Sequence, residues 1–277
     1  AAVALPAATV LALPGAAERN RPSVVRSSAH AVVRVRAGGS TEVISSCADD
    51  RCSVRDDAAP GLVDLVLLDL QPWYRAGGKA DDAAVARAMS LVESVARQPS
   101  HSLRVLALSV PVEGGFELGL GSNLDPIATF HLLPPALQQA LIDGVFDGVI
   151  AGSERALHLQ RDLSPAIART DKVYLRRPLW QLVSGNAADP SAGRLARRLR
   201  WVHGVGLQPE YASFAPGFAV LHLHDGPPRA TLVAWRRRRW VTATIALPRA
   251  GAAPGPRVLP GMTPCLRCTA VPSTDKP

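Results

Sequence analysis

Phe146-Asp147-Gly148-Val149-Ile150-Ala151-Gly152-Ser153-Glu154-Arg155 is a short apolar run that stops at a glycine and hands over three polar side chains. In a protein built from alternating strands and helices, the carboxyl end of a buried strand is where chemistry is placed, because the strand holds the following loop still. This stretch therefore predicts an α/β fold and puts the first candidate site at Ser153, Glu154 and Arg155.

Working outward, Leu62-Val63-Asp64-Leu65-Val66-Leu67-Leu68-Asp69 is nearly all apolar and suits a central strand covered on both faces. Asp81-Asp82 precedes a helix in which Val85, Met89, Val92 and Ala96 recur at helical spacing, the acidic pair lying at the positive end of its dipole. Leu103 to Leu108 reads as the next buried strand, ending at Ser109-Val110-Pro111 and a glycine-bearing loop. Pro134-Pro135 opens a second helix with Leu137 and Leu141 inward, and Gly144 ends it. Toward the amino terminus, Ala31-Val32-Val33-Arg34-Val35-Arg36 alternates like an exposed strand, followed by a loop carrying Cys47 and Cys52.

From Tyr174 the pattern changes. Trp180 to Gly185 is a strand running into a turn. Phe218 to Leu223, Ala230 to Trp235 and Trp240 to Ile245 are strands with no helix between them, which predicts an antiparallel meander. Residues 1–247 read as one domain and 248–277 as a Pro- and Gly-rich tail containing Cys265 and Cys268.

The chain has 277 residues, 47% of them hydrophobic, enough for a sizeable core made from aliphatic side chains, since aromatics are only 5%. Its formal net charge of +8 rests mainly on arginine and permits anionic partners without specifying one. No run reaches the roughly 20 apolar residues of a membrane helix. Ala1 to Leu13 lacks an initiator Met and reads as the remains of a signal peptide or, preferably, as a segment in which Ala8 to Leu13 is a buried strand closed by Pro14-Gly15. The cysteines form two close pairs, Cys47 with Cys52 and Cys265 with Cys268, which fit two local disulfides of an exported protein, one zinc site with two ligands from each pair, or reduced thiols.

The order of these segments resembles the calcineurin-like metallophosphoesterases. Leu65-Val66-Leu67-Leu68-Asp69 with Trp73 looks like a central strand of that family, and Leu108-Ser109-Val110-Pro111 like its His-x-Pro element. Gly152 to Arg155 looks like its Gly-His-x-His box, Leu182-Val183-Ser184-Gly185 like the strand that follows, and Leu13-Pro14-Gly15-Ala16-Ala17-Glu18 like its Gly-Asn-His-Asp/Glu box. The resemblance implies a two-sheet α/β/β/α sandwich, here without its first strands, whose first two boxes would lie before Ala1.

The ligands of the family are missing from these boxes. Its dinuclear metal centre, held by Asp, Asn and His, lowers the pKa of a bridging water and stabilises charge on phosphoryl oxygen. Here Ala16 and Ala17 stand for Asn and His, Ser109 for the ligand of the fourth box, and Ser153 and Arg155 for those of the fifth. Glu18, Ser109 and Glu154 make a poor oxygen site for magnesium or calcium. The remnant positions are thus Ala16, Ala17, Glu18, Ser109, Ser153, Glu154 and Arg155, with Arg155 expected to pair with Glu18 or Glu154 and no cofactor expected.

The implied function is that of a pseudoenzyme, a binding or structural module; the alternative is an active metal-dependent phosphoesterase with further ligands in a preceding segment. His222 and His224 share a face of one predicted strand but occupy no family ligand position, and no Gly-x-Ser-x-Gly elbow occurs. Trp235-Arg236-Arg237-Arg238-Arg239-Trp240 reads preferably as a hairpin tip with its arginines in water, or else as a basic knob for phosphate backbone, anionic lipid or an acidic partner; for the chain as a whole a protein partner or anionic ligand is expected, with nucleic acid the weaker reading.

Overall fold

The structure is a computed structural model that describes residues 30–36, 41–48, 51–55, 62–70, 73, 83–98, 102–113, 116–118, 130–152, 156–184, 199–201, 209–213, 215–222 and 227–248. Its strands are β1 (Ala31–Val35), β2 (Thr41–Val43), β3 (Ser45–Ala48), β4 (Arg51–Val54), β5 (Val63–Leu68), β6 (Leu103–Leu108), β7 (Phe116–Leu118), β8 (Gly148–Ala151), β9 (Leu157–Gln160), β10 (Trp180–Ser184), β11 (Leu199–Trp201), β12 (Tyr211–Ser213), β13 (Gly217–His222), β14 (Arg229–Arg236) and β15 (Arg239–Ala246). The helices are α1 (Ala83–Arg97), α2 (Pro135–Ile142) and α3 (Ser164–Thr170), with a 3-10 turn at Phe130–Leu132.

The fold is mixed α/β. A large sheet runs β12-β9-β10-β8-β6-β5-β1-β2. Its centre, β5, β6, β8 and β10, is parallel, and antiparallel strands flank it on both sides. The parallel pairs are those joined through α1 or α2 or through the β9–α3 excursion, because such a pair needs a crossover to return the chain to the same edge. The predicted strands at Leu62–Asp69, Leu103–Leu108, Phe146–Ala151 and Trp180–Ser184 are these four.

Alternate residues on each strand enter two different cores. On one face Val66, Leu68, Leu106, Leu108, Val149 and Val183 pack with Leu91, Val92 and Val95 of α1, Leu137 and Leu141 of α2 and Ile167 of α3. On the other face Val63, Val105, Leu157, Leu159, Trp180 and Leu182 pack with Ala230 and Leu232 of a separate sheet, the antiparallel meander β13-β14-β15. The helix-free carboxyl-terminal segment expected from the sequence is thus a three-stranded sheet laid on the large one.

Two glycines are set by their surroundings. A Cβ on Gly148 would fall 1.9 Å from the indole of its register partner Trp180, so the glycine is what lets that large ring lie flat on the strand. Gly144 has φ +71° and ends the turn after α2, a conformation glycine adopts without a steric penalty.

The structure corrects several local expectations. β1 is not an exposed strand: β2 and β5 pair with its two edges, and Val32 and Arg34 are buried. The segment around Cys47 and Cys52 is not a loop but the β3–β4 hairpin, with the two cysteines opposite each other and joined as a disulfide. Both thiols are consumed there, which removes the zinc reading for this pair; Cys265 and Cys268 lie outside the described residues. The hairpin docks on α1, whose Ser90 and Ser94 hydroxyls accept the Cys52 and Val54 backbone N–H groups at 2.9 and 3.1 Å. On α1 itself the buried face runs through Val85, Ala88, Leu91, Val92 and Val95, and Ala96 is exposed. The three-residue pair β7–β11, β9 and α3 were not foreseen.

Candidate functional site

Because β5, β6, β8 and β10 are neighbours and parallel, their carboxyl ends emerge along one edge of the sheet. Asp69 follows β5, Ser109 follows β6, Gly152 follows β8 and Ser184 ends β10. The Gly152 N–H donates to the Leu108 carbonyl at 3.3 Å, and the Ser109 carbonyl lies 3.6 Å from where a Cβ on Gly152 would stand. Two of the predicted boxes, at Ser109 and at Gly152, are therefore side by side.

Ser109 is buried, and its Oγ has no hydrogen-bond partner among the described residues. Beyond it the chain folds back over the helical face. The Val112 and Glu113 N–H groups both donate to Gln181 Oε1, at 2.7 and 3.3 Å, while Gln181 Nε2 returns a hydrogen bond to the Glu113 carbonyl at 2.8 Å. Gln181 thus clamps the loop after β6 onto β10, two strands away. The clamp places the Glu113 carboxyl in full burial, where Oε1 accepts the Phe130 N–H at 3.1 Å and Oε2 has no partner among the described residues. Burial pushes the Glu113 pKa up to about 7; the Phe130 N–H pulls it down and the negative charge of Asp171 adds to the rise. Glu113 can hold or release a proton near neutrality.

Neither Glu113 nor Gln181 was singled out from the sequence. Glu113 lies between an apolar Val112 and a glycine, an unremarkable loop setting until the chain is folded back on Gln181.

The amino ends of the same strands hold a second polar group, whose charges are paired within the sheet. Arg34, Asp64 and Arg104 are register partners across β1, β5 and β6, and all are buried. Arg34 grips Asp64 through two hydrogen bonds, Nε to Oδ1 at 2.8 Å and Nη2 to Oδ2 at 3.0 Å. Arg104 Nη2 donates to the Gln98 carbonyl at 2.8 Å, and the Arg104 backbone N–H donates to Asp147 Oδ2 at 2.7 Å. Burial lowers the Arg104 pKa against the pull of Asp64 and Asp147, and burial raises that of Asp147. A charge inside an otherwise apolar strand, as in Val63-Asp64-Leu65, was the signal that a partner had to exist.

The basic run is a two-residue hairpin tip. Trp235 pairs with Trp240 and Arg236 with Arg239, leaving Arg237 and Arg238 in the turn. The four arginines are not equivalent: Arg236 is docked on β12, donating to the Ala212 carbonyl at 3.0 Å and to Ser213 Oγ at 3.3 Å with its guanidinium 5.7 Å from the Tyr211 ring centroid. Arg237, Arg238 and Arg239 are exposed. His222 spends Nε2 on Thr231 Oγ1 at 3.0 Å, and His224 lies outside the described residues.

No family model matches the chain. No curated protein matches it either. Among solved structures the chain is similar to "GAP50 the anchor in the inner membrane complex of Plasmodium", at 13% identity and a TM-score of 0.43, over 75% of this chain and 54% of that one. The chain spans about half the length of that structure, and a likeness of this size bears on neither activity nor partner.

Of the remnant positions named from the sequence, only Ser109 is described. Ala16, Ala17, Glu18, Ser153, Glu154 and Arg155 lie outside the described residues, and with them the expected ion pair of Arg155. Ser109 alone among the remnant positions can be set against the dinuclear centre that the family resemblance implies. Ser109 offers a neutral hydroxyl, and among the described residues no three His, Cys, Asp or Glu side chains converge. Among the described residues no helix is long and apolar enough to cross a membrane.

Proposed function

We propose that the chain is a degenerate relative of the calcineurin-like metallophosphoesterases that serves as a non-catalytic binding or structural module. The observation that carries this reading is Ser109: a buried hydroxyl at the carboxyl end of β6, beside Gly152 at the end of β8, where the resemblance calls for a metal-ligating side chain. A hydroxyl there neither holds a transition ion firmly nor activates a water.

The order of segments supports the same reading. Of the five stretches quoted for the resemblance, four begin on or directly after the adjacent parallel strands β5, β6, β8 and β10, the fifth, at Leu13, lies outside the described residues, and the meander lies on the opposite face from the helices. In the proposed sandwich the large sheet and the meander are the two sheets, and α1, α2 and α3 form the helical layer on the large one.

Elemental analysis of the purified protein, with the cysteines alkylated first, tests the proposal together with an assay on p-nitrophenyl phosphate and bis(p-nitrophenyl) phosphate in added manganese. The expected outcome is far less than one equivalent of manganese, iron or zinc and no turnover on either ester. A full equivalent of bound metal accompanied by metal-stimulated hydrolysis would establish an active phosphoesterase instead.

A further inference from the structure

The outer face of the meander, turned away from the large sheet, carries an apolar patch at one end. Phe218 is 44% exposed, Val220 41%, Trp235 41% and Trp240 56%, values that make these rings and this methyl pair surface rather than core. The rings touch one another: Trp235 and Trp240 have centroids 5.1 Å apart, and Phe218 and Trp240 6.0 Å apart. Away from the tip the same face turns polar, in a row of hydrogen bonds from His222 Nε2 to Thr231 Oγ1 and on to Thr244 Oγ1, each 3.0 Å. The apolar end is the end that bears the arginine turn.

That turn is unusual in its residues. Arg237 and Arg238 have φ +48° and +65°, both in the left-handed region. Two-residue hairpins need that backbone and obtain it most easily from Asn-Gly or Asp-Gly, because a β-carbon crowds the following carbonyl. Arginine at both positions gives up hairpin stability and gains two cations at the extreme tip. Arg239 adds a third exposed one, and β13, β14 and β15 contain no Asp or Glu to neutralise them.

We propose that this tip docks the protein on an anionic lipid surface, with Arg237, Arg238 and Arg239 at the headgroup phosphates and carboxylates and Trp235, Trp240 and Phe218 in the interfacial layer. Indole rings favour that layer, where one edge is apolar and the other wet, and each arginine near an anionic leaflet adds attraction that salt screens. The rings stand edge to face, at interplanar angles of 64° and 66°, so they form one contiguous wedge and not a row of open faces on which successive bases stack. Docked Arg236 fixes the hairpin to β12, so the wedge is presented by a braced strand pair.

The test uses the full chain and vesicles of phosphatidylcholine, alone or with about one-third phosphatidylserine, read by flotation and by quenching of tryptophan with brominated acyl chains. The expected result is binding to the serine-lipid vesicles only, weakened by salt, with quenching that disappears in Trp235→Ser/Trp240→Ser. Replacing Arg237→Asn with Arg238→Gly removes two cations while installing the favoured turn pair. It should raise the thermal midpoint and cut vesicle binding about thirtyfold, from roughly 1 kcal/mol per basic residue. Equal binding to both vesicle types, binding to neither, or unchanged binding by the Asn-Gly variant would each overturn the proposal. Retention on single-stranded oligonucleotides or heparin without retention on vesicles would assign the tip to a soluble polyanion and overturn it equally.

Discussion

Apart from the indole N–H of Trp180, which starts β10 without a partner among the described residues, the two ends of the parallel strands bury polar groups in opposite ways. At the amino end, Arg34, Asp64, Arg104 and Asp147 form a row in which charges face counter-charges and the backbone takes up further hydrogen bonds. At the carboxyl end, Ser109 Oγ and Glu113 Oε2 are as deeply buried yet find no partner among the described residues. Evolution for stability alone removes groups of the second kind or pairs them, because a buried polar atom without a hydrogen bond is penalised by its lost hydration. The amino end is therefore built to hold the sheet, and the carboxyl end keeps a polar character that folding does not require.

The largest effect should come from breaking the satisfied end. Asp64→Ala leaves the buried Arg34 guanidinium without its bidentate acceptor, and loss of one member of such a pair destabilises by about 3–5 kcal/mol. The urea midpoint should fall accordingly with an unchanged slope. Replacing both partners, Arg34→Met with Asp64→Leu, should recover more than half of that loss, since neither variant side chain then demands a counter-charge. A loss under about 1 kcal/mol in Asp64→Ala would remove the structural role assigned to the row.

A smaller and pH-dependent effect is expected at the unsatisfied end. Glu113 has its folded pKa raised from the ordinary carboxylate range to about 7, mainly by burial. Between those two values the native state holds a proton that the unfolded chain has lost, so stability falls as pH rises through this window and levels off above it. The loss reaches up to about 3 kcal/mol, at 1.36 kcal/mol per pH unit of displacement. Asp147, also raised by burial, contributes with the same sign. Glu113→Gln cannot ionise and still offers an oxygen to the Phe130 N–H, so it should be the more stable protein above pH 7 and should show a shallower decline below it. Parallel stability profiles for the two proteins would show that the carboxyl is hydrated in solution and not buried as described.

The parts of this architecture that were legible in the sequence are those with a long local signal. Four apolar runs marked the parallel strands, and three consecutive strand-like segments between Phe218 and Ile245 with no helix between them marked the meander. The β3–β4 hairpin was hidden because Ser45-Ser46-Cys47-Ala48 has no apolar alternation; its pairing is stabilised by the local disulfide, one of the readings the cysteine spacing offered, and by serines of α1, which are nonlocal. At seven residues α3 is too short to show a period, and β7 and β11 are three residues each. Arg34 made β1 look solvated, since an arginine in a strand is read as facing water until Asp64 is known to sit across from it. The site was less legible than the fold. Its family positions fall mostly outside the described residues, and Glu113 acquires its environment from Gln181, which is 68 residues further along the chain.

The smallest expected effect has the opposite sign and bears most directly on the comparison. Ser109 is 3% exposed, and its hydroxyl makes no hydrogen bond among the described residues. If the hydroxyl contributes nothing to folding, Ser109→Ala deletes a buried polar atom at the expense of a very small void, and the protein should become more stable by up to about 1 kcal/mol. Thermal unfolding at a pH well below 7, where Glu113 is protonated in the native state, reads this change free of the neighbouring titration. A destabilisation of about 1 kcal/mol or more would mean that Ser109 Oγ is bonded in solution, either to water or to the residues that follow Gly152. The carboxyl end of the strands would then be a satisfied network like the amino end, and the contrast between the two would lapse.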